Sequence, residues 1–110
     1  MDSSPFHIVK RAQFEARFIL GAGELAETVE DVDAEITASD GTRWSASFMT
    51  LSQIARVMDR WAGTGENKGG QYFQCPDLVI VRDGGISAMT LALEGIFEAG
   101  GPGGILGDLN

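Results

Sequence analysis

"ELAETVEDVDAEI", Glu24 to Ile36, carries six carboxylates and no base, and Asp40 adds a seventh just beyond it. Carboxylates at this density suit acid–base catalysis, cation binding, or attraction of a basic partner. They also suit a plain solvated face that keeps a strand from pairing edge to edge. Few other residues help with catalysis. The chain has one histidine, His7, and one cysteine, Cys75, so no pair has zinc-ligand spacing. Asp31 and Asp33 offer oxygens to calcium, but the further ligands and the placed glycine of a calcium loop are missing. No metal and no cofactor is expected.

"GTGENKGG", Gly63 to Gly70, has the glycines of a phosphate loop but not its Gly-Lys-Ser/Thr, and it follows a helical pattern rather than a strand. A G-x-G-x-x-G reading needs glycine where Lys68 stands. A mobile connection is the better account. Cys75 sits beside Pro76 with only His7 as a potential base, and a buried, inert thiol is expected. No serine lies in a nucleophile-elbow pattern. Arg56 and Arg60 stand one helical turn apart and are expected on a solvated face, with Asp59 and Asp77 or Asp83 as partners. No catalytic residue is assigned.

Sixteen acids against eight bases leave a net charge of −8 on 110 residues. Such a surface repels nucleic-acid phosphates and anionic membranes. It attracts and steers a basic protein. The length implies one domain, and the 44% apolar content is ordinary for a globular one. "MDSSPFHIVKR" is not a signal peptide, and no run reaches the length of a membrane span. With a single cysteine, these features predict a reducing, cytoplasmic setting.

The elements that must carry the acids follow from periodicity. Phe6 to Val9 reads as a short strand, and Phe14 to Leu20 alternates as a half-buried one. Val32, Ala34, Ile36 and Ala38 alternate with Asp31, Asp33, Glu35 and Thr37. Trp44, Ala46 and Phe48 alternate with Arg43, Ser45 and Ser47. A two-residue Asp40-Gly41 turn would put the two apolar sets on opposite faces. A three-residue loop, Ser39-Asp40-Gly41, pairs Ile36 with Trp44, Ala34 with Ala46 and Val32 with Phe48, with Gly41 left-handed in a G1 bulge. This register is predicted, and it makes Asp31, Asp33 and Glu35 an outer-face column.

Thr50 is a good N-cap and Gln53 completes a capping box for a helix to about Ala62. Leu51, Ile54, Val57, Met58 and Trp61 share one face, with Ile54, Val57, Met58 and Trp61 expected to pack inward. "YFQC" and "DLVIV" read as strand broken by Pro76. Leu78 to Val81 is uniformly apolar and is expected to be a central strand buried on both faces. A last helix runs from Ser87 to Glu98 with Met89, Leu93, Ile96 and Phe97 inward, and Gly95 weakens it. The sum is one α+β domain over 1–99, with a mostly antiparallel sheet of five to six strands and two helices packed on it. Residues 100–110 are expected to be a flexible glycine-rich tail.

The stretch from Asp40 to Asp83 resembles a class of small, uncharacterised bacterial proteins. Its markers are Arg43-Trp44, Thr50-Leu51 with Ile54, Arg60-Trp61, Gly69-Gly70 with Tyr72-Phe73, and Asp77 to Val81. Small, acidic, cysteine-poor domains of this kind look like immunity proteins of contact-dependent or polymorphic toxin systems. The resemblance implies tight binding of one cognate toxin domain in the cytoplasm. Many such toxins are basic nucleases, for which an acidic surface mimics or repels substrate. No site residue carries over by motif. From charge alone, the partner-binding surface is expected at Asp31, Asp33 and Glu35, with Glu27 and Glu30 at the rim. The alternatives are a small enzyme or ligand-binding domain with a pocket near Arg60, Glu66 and Tyr72, and a structural subunit that homo-oligomerises through a sheet edge.

Overall fold

The computed structural model describes residues 6–110; residues 1–5, the start of the segment expected not to be a signal peptide, lie outside the described residues. The chain order is β1 (Phe6–Lys10), β2 (Phe14–Ile19), β3 (Asp31–Ala38), β4 (Arg43–Thr50), α1 (Leu51–Thr64), α2 (Glu66–Gly70), β5 (Leu78–Val81), α3 (Ile86–Glu98) and β6 (Gly107–Asp108). The fold is α+β, with one six-stranded sheet ordered β1-β2-β3-β4-β5 and β6 also paired to β4. All pairs are antiparallel except β4 with β5, which are joined by a crossover through α1.

The hairpin takes the predicted register: Val32 pairs with Phe48, Ala34 with Ala46 and Ile36 with Trp44. Gly41 has φ 89° and donates to Ala38 O at 2.9 Å, while Ala38 donates to Thr42 O at 2.8 Å. A left-handed residue at this point lets the loop turn without splaying the strands, and glycine does so without strain.

One face of the sheet forms the core. Phe14, Ala16, Phe18, Val32, Ala34, Ile36, Ala46 and Phe48 are all at most 4% exposed. Helix α3 closes this face with Ile86, Met89 and Leu93 buried and Ile96 and Phe97 half-buried. Phe97 stacks on Phe14 at 4.8 Å and meets Trp44 edge-on at 6.1 Å, geometries that aromatic quadrupoles favour. Helix α1 packs on β4 and α2, outside that core. Val57 is buried and Ile54, Met58 and Trp61 are half-buried, whereas Leu51 is 64% exposed.

Thr50 caps α1 by accepting from Gln53 N at 3.1 Å. The return half of the capping box is absent, because Thr50 N donates to Glu30 O instead. Gly65 ends α1 in a left-handed cap that donates to Trp61 O. Within the segment expected as a mobile connection, Glu66 to Gln71 forms a tight turn with left-handed backbone at Asn67, Lys68 and Gly69.

Three expectations are corrected. Tyr72 to Cys75 forms no strand, and Trp61 stacks on Phe73 at 5.6 Å instead. β5 is an edge strand rather than a central one, and Ile80 is 52% exposed. Its apolar run serves the core on one side only, through buried Val81 and half-buried Val79. The 100–110 tail packs onto the fold: Pro102 and Leu106 are buried, and Gly107–Asp108 pair with Ser45 and Trp44. Strand β5 pairs with β4 only from Ser47 onward, so the first half of that edge is left for the tail.

Candidate functional site

The acidic segment splits into three parts with different surroundings. The first is the loop before β3. Its main chain caps α3: Val29 O accepts from Gly85 N and Ala26 O from Ile86 N, each at 2.8 Å. A Cβ at Gly85 would lie 2.6 Å from Glu27 O, and Gly85 has φ 101°, so the close approach requires glycine. Carbonyl oxygens and acids at a helix N-terminus meet its positive end. Glu24 folds back to accept from Gly21 N. Glu27 is exposed, and its carboxylate has no hydrogen-bond or ion-pair partner among the described residues.

The second part joins β3 to α1. The Glu30 carboxylate accepts from Thr50 Oγ1 at 2.7 Å and from Arg56 at 2.8 Å. These donors, the Thr50 hydroxyl foremost and then Arg56, hold its carboxyl below the usual carboxylate range against the opposing effect of desolvation. Asp31 is exposed and lies 3.4 Å from Gln53 Nε2. Arg56 also donates to Gln53 at 3.1 Å. Its anionic partner is therefore Glu30, not Asp59, Asp77 or Asp83. Arg60 is exposed and has no ion-pair partner among the described residues. Glu24, Leu25, Glu30, Asp31, Gln53 and Arg56 help line an open cavity of about 320 Å³.

The third part is the outer-face column. Asp31 and Asp33 are exposed and Glu35 is half-buried, while Val32, Ala34 and Ile36 between them are buried. Asp33 accepts from Ser47 Oγ across the hairpin at 2.8 Å. Glu35 is bracketed by Arg17 at 2.6 Å and Arg43 at 3.6 Å. The negative end of the column is thus Asp31 and Asp33, and Glu35 is locally neutralised. Asp40, at the far turn, accepts from Thr42 N at 2.9 Å, and that backbone hydrogen bond holds its carboxyl low.

Among the described residues, no helix packs over the outer face of β1–β3. Ile8 is 52% and Ile19 39% exposed, and Ile19 pairs directly with Asp33. The open face therefore sets carboxylates beside aliphatic surface.

The arginines are the functional residues that the sequence reading missed. Arg17 and Arg43 lie on the same face as Glu35, as their alternation required, but only the pairing of β2 with β3 brings Arg17 to it. A pocket near Arg60, Glu66 and Tyr72 was expected. Tyr72 lines an open cavity of about 540 Å³ with Asn67, Gln74, Cys75 and Pro76, without Arg60 or Glu66. Cys75 is half-buried rather than buried, with Sγ 3.4 Å from Pro76 O. Ser45 Oγ donates to the Asp77 carboxylate.

Among the described residues, no group of three or more His, Cys, Asp or Glu side chains is placed to hold a metal ion, and no helix is long and apolar enough to cross a membrane. No protein-family model matches the chain, and neither does any curated protein or solved structure.

Proposed function

We propose that this chain is a non-catalytic, cytoplasmic immunity protein that binds a cognate, basic toxin domain and neutralises it by covering its active site. The observation that carries this reading is the open outer face, where Asp31 and Asp33 are exposed and Asp33 pairs with exposed Ile19, in a protein of net charge −8. Acids of this kind steer a basic partner, and the aliphatic surface next to them supplies the desolvated contact that holds it. Glu27 extends the negative field around the end of β3, while Glu30 is paired with Arg56. Glu35, held by two arginines, sets the limit of that field rather than its centre.

The test begins with the product of the adjacent gene, captured on the immobilised protein and then mixed by stopped flow. Asp31→Lys with Asp33→Lys should slow association at least about tenfold. The wild-type on-rate should fall as salt rises. Glu35→Lys is a poorer probe, since it would place a third cation between Arg17 and Arg43. Unchanged on-rate and affinity in the double reversal would make the column a solvated face only. Absence of any binding would remove the immunity reading.

A further inference from the structure

β1 ends the sheet, so among the described residues no strand lies on its outer side. Which backbone groups face that side follows from the hairpin. Arg11 donates its N–H to Phe14 O at 2.8 Å. Backbone direction alternates along a strand, so Val9 and His7 also face β2, and Ile8 and Lys10 turn their N–H and C=O outward. Natural edges are blunted by short length, lysine, proline, a bulge or an inward charge. Between Phe6 and Lys10 there is no proline and no bulge: the pairing with β2 is continuous, and Lys10, at the end, is the only charged residue.

Two copies of a −8 protein repel. The bases of β1, β2 and their turn are each matched, Lys10 with Glu15 at 3.9 Å, Arg11 with Glu94 at 2.8 Å and Arg17 with Glu35 at 2.6 Å. The strip is therefore close to neutral, which lowers the electrostatic cost of two copies meeting there.

We propose that β1 is a self-pairing edge, at which two copies join antiparallel about Ile8 and continue the sheet across a two-fold axis. The outward groups of Ile8 then exchange hydrogen bonds with those of its counterpart. His7 faces Val9 and Lys10 faces Phe6 across the axis, so like charges are not opposed. The exposed side chain of Ile8 meets its own copy on the outer face. So short a contact falls below the roughly 1,200 Å² of stable interfaces, and the dimer is weak and concentration-dependent. This pairing uses the backbone edge and stands apart from the docking role of the acidic face.

Sedimentation equilibrium over a hundredfold range of concentration, up to about 1 mM, tests it. The mass should rise from 11.7 kDa toward twice that value. Amide exchange at Ile8 and Lys10 should slow with concentration, while amides in β3 are unaffected. Ile8→Pro removes an outward N–H and no bond to β2, so the monomer fold is kept and dimerisation weakens at least tenfold. Ile8→Lys, which opposes two cations across the axis, should do the same without any backbone change. A single 11.7 kDa species at the highest concentration overturns the proposal. So does a dimer whose dissociation constant is unchanged in both variants, or one that protects other amides.

Discussion

Glu35 and Ile36 are neighbours in the chain and lie on opposite faces of one strand. Ile36 is 0% exposed, and Val32, Ala34, Ala46 and Phe48 beside it are nearly as dry. Glu35 instead has two guanidinium groups for company, and Asp33 a serine hydroxyl. The inner face holds the fold by excluding water, which depends on volume and shape. The outer face holds charge without straining the fold, because Asp33 and Glu35 have donors in register on neighbouring strands. A dense run of acids is therefore compatible with a stable sheet. Its repulsion is offset locally by residues that are distant in sequence.

The difference between the faces can be broken at several points. Phe48→Ala should cost about 3–5 kcal/mol, since Phe48 is fully buried and meets Phe18 at 5.8 Å. A lower midpoint in denaturant with an unchanged slope is the expected outcome. Leu106→Ala should cost about 2–4 kcal/mol, because that side chain is only 7% exposed and belongs to the main core. A frayed tail would show no change in the same titration.

Thr50→Ala should cost about 1–2 kcal/mol, as it removes both the cap of α1 and the hydroxyl that Glu30 accepts. Thr50→Ser should restore most of that loss. The same hydrogen bond has a signature in pH. The Glu30 pKa is depressed in the folded chain, so its contribution is fully present above the ordinary carboxylate value and is lost as pH falls through the lowered one. Glu30→Gln should flatten the acid limb of stability against pH, measured by thermal unfolding below about pH 5. The smallest effect is expected on the open face. Asp33→Asn should change stability by less than about 0.5 kcal/mol, because the residue is exposed and the amide oxygen still accepts from Ser47.

The alternation of Val32–Ala38 against Arg43–Phe48 and the glycine at 41 were enough to set the register, because a period of two and a left-handed turn leave one consistent pairing. They also put Asp31, Asp33 and Glu35 on a common face before any tertiary contact was known. Two other features could not be read this way. Leu78 to Val81 looks two-sided from its composition, yet it stands at the edge with Ile80 toward solvent, because position in a sheet is set by neighbours and not by apolarity. The glycines after Ala99 raise the entropy of the tail, but it docks through several contacts at once: buried Pro102, buried Leu106 and the pairing of Gly107–Asp108 with β4.

The acids themselves divide in the same manner. Their number, their shared face and the net charge of the chain are properties of the local sequence. Which of them stays a free negative charge is not. Arg17 reaches Glu35 from a strand 18 residues away, and Arg56 reaches Glu30 from a helix 26 residues on. Pairing across such distances depends on strand order and helix placement, which many distant contacts settle together. The chain alone thus determined an acidic outer face. Only the folded arrangement drew its negative end at Asp31 and Asp33 and neutralised the rest.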